Sequence, residues 1–273
     1  MKKILAILLA GILMGTVLAG CGESGTGSDT GSTGSTGETK KEYVMGLDIN
    51  FPPMGFADEQ GNPIGFDIDL AKAVADKMGV TFKLQPIDWN SKEVELKGGK
   101  VDILWNGLTI TEEREKEMLF TKPYLQNKQV VVVLQDSSIK TLADMKGKKV
   151  VLQKGSTAVD ALKEEKNKTF ADSLKETTQL ADNMACFQEV ELKRADAVVI
   201  DEVVAKYYLS KHEGKFRILD ETLADEFYGI AVQLGNTELR DNIQNALDAL
   251  YAEGKITEIC KTWFGEDIYY TGE

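Results

Sequence analysis

A handful of residues have the type and placement to do chemistry. Arg114 closes the segment Thr111-Glu112-Glu113-Arg114, which reads as the start of a helix. A guanidinium gives a carboxylate two parallel hydrogen bonds and keeps its charge when desolvated. By spacing alone Arg114 is equally a surface residue paired with Glu113, Glu115 and Glu117. Asp201 follows the apolar run Ala197 to Ile200 and precedes a helix-like run. A carboxylate there can meet an ammonium, cap the helix, or do both. Gly155-Ser156-Thr157 lies between a strand-like and a helix-like run, where backbone N–H groups would receive an anion. The trailing Gly-Lys-Ser/Thr of a phosphate-binding loop is missing there, so a nucleotide is not expected.

Two aromatic residues stand in loop-like segments. They are Phe51 in Asp48-Ile49-Asn50-Phe51-Pro52-Pro53 and Trp89 in Ile87-Asp88-Trp89-Asn90. Flat rings in such loops either pack in a core or stack on aliphatic, amide or guanidinium groups. Asp48 could reach the polar end of whatever the rings hold. Trp105 and Asn106 could line the floor beside them.

Other chemistries are disfavoured. The cysteines, Cys21, Cys186 and Cys260, form no CxxC pair, and the one histidine, His212, sits in the polar turn Lys211-His212-Glu213-Gly214. Neither a soft metal site nor a Ser-His-Asp or Cys-His set is expected, and so no metal, no cofactor and no catalytic residue. Cys186 and Cys260 are expected as free, buried thiols. The chain carries 32 Lys and Arg against 44 Asp and Glu, a net charge of −12. That balance makes nucleic acid an unsuitable partner.

Positioning the candidate residues falls to alternating strand-like and helix-like runs, the pattern of α/β layers with a mainly parallel sheet. Strands are expected at 43–47, 80–85, 101–105, 129–134, 149–153, 169–174, 197–200 and 228–233. Helices are expected at 67–78, with Asp67 as cap and Gly79 as stop, and at 158–165, 183–193, 202–209, 239–253 and 256–264. Another is expected to begin at Thr111. The β-rich segments 129–134 and 228–233 read as two crossings between lobes. The expected division is 43–128 with 233–273 as one lobe and 129–232, including the crossings, as the other.

Before residue 43 the sequence reads as an address. Residues 1–20 have two lysines and an apolar run from Ile4 to Ala19, the form of a secretory signal. Leu18-Ala19-Gly20-Cys21 resembles the bacterial lipobox, which implies lipidation of Cys21 and attachment to the cell membrane. Residues 21–42 include Gly-Ser-Thr-Gly-Ser-Thr-Gly and read as a flexible tether.

At Gly65-Phe66-Asp67-Ile68-Asp69-Leu70 the chain resembles the signature of the family 3 bacterial solute-binding proteins, which serve ABC importers of polar amino acids. Further motifs of that family follow in order. They are Gly107-Leu108-Thr109-Ile110-Thr111-Glu112-Glu113-Arg114, Phe120-Thr121-Lys122-Pro123-Tyr124, Gly155-Ser156-Thr157, Ala195 to Asp201, Tyr228-Gly229-Ile230-Ala231-Val232 and Trp263-Phe264-Gly265. The resemblance implies a type II periplasmic-binding clamshell of two lobes joined by two hinge strands, with the ligand between them. It implies Arg114, Thr109, Ser156 and Thr157 for the ligand carboxylate, Asp201 and Gly107 for its ammonium, and Phe51, Trp89 and Asp48 for its side chain. The implied partners are a polar amino acid and a membrane permease, the expected form a monomer. A ligand-presenting sensor component and a dehydratase-like enzyme on the same fold are the alternatives.

Overall fold

The computed structural model describes residues 41–272, so the signal segment, Cys21 and most of the tether lie outside the described residues. Two five-stranded sheets organise the rest. In the first, Glu42–Leu47 pairs in parallel with Thr81–Pro86 on one side and Ile103–Leu104 on the other. Ala231–Gln233 then runs antiparallel between Ile103–Leu104 and Met118–Phe120. In the second, Lys149–Gln153 lies between Glu176–Leu180 and Ala197–Asp201, parallel to both. Leu125–Leu134 runs antiparallel to Ala197–Asp201 and, on its other edge, to Phe216–Tyr228.

Burial explains why these segments are strands. Val130, Val131, Val132 and Val133 are fully buried, so both faces of that strand are covered and the β-branched run fits a pleated interior. The helix Phe66–Met78 puts Phe66, Leu70, Ala71, Val74 and Ala75 inward and stops at Gly79, whose left-handed φ of 68° lets the chain turn back. The helix Thr237–Ala252 starts from an Asn236 side-chain cap and buries Leu239, Ile243, Ala246, Leu247 and Leu250. That i, i+4, i+7, i+8, i+11 stripe packs on Phe66–Met78. The helix Lys255–Phe264 packs there too. Trp263 Nε1 donates to Asp69 at 2.9 Å, and the Phe264 ring lies 5.0 Å from Phe66. The first and last family motifs therefore meet in one lobe.

The two long strands Leu125–Leu134 and Phe216–Tyr228 join the sheets. Leu125 pairs with Tyr228 at one end and Leu134 with Phe216 at the other. Tyr228 also bridges to Thr109, which belongs to the first lobe. The result is the type II two-lobed fold, with mixed rather than purely parallel sheets.

Several expected elements differ. Residues 129–134 pair with Ala197–Asp201 inside the second sheet, and the crossing lies just before them, where Leu125–Lys128 faces Asp225–Tyr228. Ala231–Gln233 is an inner strand of the first sheet. The strand Phe216–Tyr228 escapes sequence reading because Asp220, Glu221, Asp225 and Glu226 break its apolar pattern and its register shifts between Ile218 and Ala224. Residues 169–174 fall mostly in a helix, Lys168–Ser173, and the strand is Glu176–Leu180, an edge strand with no buried side chain to mark it. Asp67 lies inside its helix and does not cap it; Gly65 holds the cap position.

Candidate functional site

The expected residues gather where the lobes face each other. The first lobe brings Asp48 and Phe51 from just after Glu42–Leu47, the Trp89 turn, and the loop from Asn106 to Arg114. The second brings Gln153, the Gly155–Thr157 loop and Asp201. Asn127, Gln129, Glu226 and Tyr228 come from the joining strands. Beside Arg114 a cleft of about 990 Å3 opens between Lys92 and Glu93 on one side and Gly155, Ser156 and Asp160 on the other.

Arg114 is buried, and Thr111 caps its short helix by accepting from the Arg114 N–H at 3.2 Å. Its Nη1 donates to the Thr109 carbonyl at 2.8 Å and its Nη2 to the Gly155 carbonyl at 3.4 Å, with Nε 3.5 Å from the Glu93 carboxylate. Burial pulls its pKa down, and Glu93, Glu226, Asp160 and Asp201 oppose that pull. The guanidinium is held flat by two carbonyls from opposite lobes and remains a cation. Thr109 Oγ1 lies 3.3 Å from Thr157 Oγ1, so these two hydroxyls also meet across the cleft.

Two glycines make the approach possible. Gly107 has φ 58°, and a Cβ there would sit 2.6 Å from the Phe51 ring. Its N–H donates to Asp67 at 2.7 Å, and the Tyr124 hydroxyl donates to the same carboxylate. Burial pushes the Asp67 pKa up to about 7. Asp67 thus anchors the loop from Asn106 to Arg114. Gly155 has φ 74°, and its Cβ would lie 2.8 Å from the Asn90 backbone in the other lobe. Only a bare glycine allows the lobes this close.

Asp201 stands at the cap position of Glu202–Lys211 without capping it through its side chain. Instead Oδ1 accepts from Asn127 Nδ2 and from the Tyr228 hydroxyl, each at 2.6 Å. Burial, then the neighbouring Glu226 carboxylate, raise its pKa to about 7. Asp48 is buried as well, accepting from the Asn50 N–H at 2.8 Å and from Gln153 Nε2 of the other lobe at 2.6 Å. Asn183 fixes the Gln153 amide by donating to its oxygen at 3.0 Å. Burial raises the Asp48 pKa, and the nearby charges of Asp182 and Asp88 raise it further.

Three expected residues sit differently. Ser156 spends its hydroxyl on the Gln153 carbonyl at 2.7 Å, leaving Thr157 as the hydroxyl of that loop that reaches Thr109. The Trp89 ring packs with Leu96, Val101, Leu104 and Leu108 in the first lobe. Asn106 is buried against Gly55, where an added Cβ would fall 2.0 Å from its oxygen. Cys186 and Cys260 are free and buried.

Sequence reading missed Lys92 and the polar side chains of the joining strands. Lys92 is almost wholly buried. Its Nζ donates to the Gly155 carbonyl at 2.7 Å and the Trp89 carbonyl at 3.2 Å, and lies 5.2 Å from the Trp89 ring centre. Burial and the Arg114 charge lower its pKa to about 8. A lysine in an exposed-looking Asn-Ser-Lys-Glu stretch carries no sequence signal for this. Among the described residues no cluster of His, Cys, Asp or Glu could hold a metal ion. No described helix is long and apolar enough to cross a membrane.

Two lobes on paired joining strands, with a cation, carboxylates and hydroxyls converging between them, define a solute-binding protein of the two-lobed type. The chain belongs to the bacterial extracellular solute-binding proteins, family 3, whose model matches residues 43–266. It is 32% identical over 266 residues to the arginine-binding extracellular protein ArtP of Bacillus subtilis, covering 97% of this chain and 98% of that one. A Streptococcus pneumoniae ABC uptake transporter substrate-binding protein solved with bound histidine superposes with a TM-score of 0.82 at 36% identity, over 85% of this chain and 95% of that one. An ancestral arginine-binding protein bound to arginine gives 0.77 at 40% identity, over 84% and 100%.

Proposed function

We propose that this chain captures a basic L-amino acid, arginine foremost, outside the cell and delivers it to the permease of an ABC importer. Arg114, Thr109 and the Thr157 loop, with Ser156 shaping it, receive the carboxylate. Asp201 and the Gly107 loop receive the ammonium. Phe51 and Asp48 form the side-chain end. The observation that carries the choice of a basic side chain is the second acidic centre at Asp48, separate from Asp201 and reinforced by Asp88 and Asp182. A buried carboxylate among like charges is stabilised by a cation beside it. The relatives that bind arginine and histidine support the same reading.

The mechanism follows from the two-lobe geometry. Arg114 touches carbonyls on both lobes, and Thr109 and Thr157 approach each other across the cleft. A ligand that touches both lobes favours the closed arrangement over the open one, and the permease would read that closed shape. The ligand leaves unchanged, so the protein binds without turnover. The lobe division that the pairing supports is 43–128 with 229–272, and 129–228, the second boundary lying a few residues earlier than expected. We further propose that Cys21 is lipidated, tethering the monomer to the membrane.

The experiment is calorimetric titration of the unfolded and refolded chain with arginine, lysine, histidine, glutamine and cystine. Refolding strips bound ligand. Tightest binding for arginine or lysine supports the assignment. Preference for glutamine or cystine would overturn the basic side chain, and heat from none would overturn the amino-acid reading.

A further inference from the structure

The hydrogen bonding around the joining strands is unbalanced toward acceptors. Glu226 is buried on Phe216–Tyr228, and its Oε2 receives three donors: Thr109 Oγ1 at 3.1 Å, Asn127 Nδ2 at 3.1 Å and Gln129 Nε2 at 3.0 Å. Asn127 Nδ2 also donates to Asp201 Oδ1, so one amide holds the two carboxylates side by side. Gln129 Nε2 is within reach of Thr157 Oγ1 as well, at 3.4 Å. The local N–H and O–H groups are thus committed to acceptors, and Gln129 also interacts with the Asp201 carboxylate. Gln129 Oε1 is fully buried and has no hydrogen-bond partner. The Gln129 amide cannot be turned over to find one, because its oxygen would then face a carboxylate. Two buried carboxylates and an orphaned amide oxygen call for a group with several donors, no acceptor and a positive charge. An ammonium is that group, with three donors.

We propose that Glu226 is a second anionic partner of the ligand's α-ammonium, acting beside Asp201 from the joining strand. This rests on the amino-acid reading above and assigns a further residue within the same site. It makes the ammonium end a specificity filter. A ligand with the same side chain and carboxylate but a carbonyl in place of the ammonium would leave both carboxylates facing an acceptor. It also ties ligand contact to the strand that joins the lobes.

A proton linkage follows. The charged and titratable groups around the pair are Arg114 from the helix Glu112–Glu115, Tyr228 from the joining strand itself, and Tyr124 behind Tyr228. Before ligand arrives, burial and Glu226 keep a proton on Asp201 up to about pH 7. An ammonium favours the ionised Asp201, so the bound state holds fewer protons than the free state. Affinity then falls as pH drops below about 7, by up to about tenfold per unit for one proton released.

The test uses the refolded chain, arginine, and the 2-oxo acid that replaces arginine's α-ammonium by a carbonyl, titrated at about pH 8 and about pH 6 in buffers of different ionisation heat. For wild type we expect strong preference for arginine and release of a proton at the lower pH. For Glu226→Gln we expect about 10- to 100-fold weaker arginine binding at the higher pH, discrimination reduced by a similar factor, and less proton release. Glu226→Asp should recover part of the preference. Equal losses for both ligands in Glu226→Gln would mark a purely structural residue and overturn the proposal. So would wild-type arginine binding that is flat with pH and releases no proton, a result that needs no variant to fold. If wild type binds no amino acid even at the higher pH, the amino-acid reading itself fails.

Discussion

Arg114 and Asp48 show how far a single side chain can be argued. Arg114 is buried with its donors turned to carbonyls of both lobes, so a ligand carboxylate would meet a cation already desolvated and oriented. Removing it leaves that carboxylate buried without its charge partner, which costs about 2–5 kcal/mol. Arg114→Ala should therefore weaken arginine binding by at least about thirtyfold in calorimetry, with circular dichroism unchanged. Equal affinity in the variant would remove Arg114 from the site. Asp48→Asn keeps the shape and the Asn50 contact but removes the charge. The expectation is a loss of roughly 1.5–3 kcal/mol for arginine and lysine, and a smaller loss for glutamine. Equal loss across the three would show that Asp48 does not read ligand charge. At this scale Arg114, Asp201 and the Gly155 loop could be named as candidates because ordered family motifs contain them, whereas spacing alone left Arg114 a surface residue. Lys92 and Glu226 could not, because a lone charge among polar neighbours looks the same whether it is solvated or folded inward.

Between elements, the decisive contact is the approach of the Gly155 loop to the Trp89 turn. Two first-lobe cations, Lys92 and Arg114, share the Gly155 carbonyl. The glycine itself leaves no room for a Cβ against Asn90. Gly155→Ala would meet both a left-handed φ, which costs about 1–2 kcal/mol for a residue with a Cβ, and a backbone clash that exists only when the lobes are shut. We expect at least about tenfold weaker ligand binding, and small-angle scattering that stays open-like at saturating ligand. A variant that closes as wild type does would show that the approach is not limiting. Lys92→Met should lower affinity through the same contact, by about tenfold or more as one hydrogen bond to a charged group is lost. The elements themselves were legible where burial is one-sided, as in Thr237–Ala252 with its regular stripe. They were not legible where a strand lies at an edge or crosses between lobes. Glu176–Leu180 buries no side chain, and Phe216–Tyr228 carries four acidic residues of which only Glu226 turns inward, where the joining strands pair.

Over the whole molecule, binding and stability are linked. A ligand that binds the folded, closed form at about 100 times its Kd adds about 2.7 kcal/mol. For a domain of this size that corresponds to a rise in melting temperature of roughly 5–10 °C. Arginine should produce it in a thermal-shift assay of the refolded chain, and an unchanged melting temperature with saturating arginine would contradict the assignment. Local pattern and motif order pointed to the class: alternating apolar runs indicate α/β layers, and the ordered family motifs imply capture of a small polar solute. Those are properties of local pattern, which survives in one dimension. Tertiary structure decided which charges share a space. Asp48 and Gln153 meet from opposite lobes, as do Lys92 and Gly155, and Glu226 comes beside Asp201 only through the pairing of the joining strands. Their separations along the chain carry no trace of these contacts, because closing long loops costs entropy that only the finished packing repays.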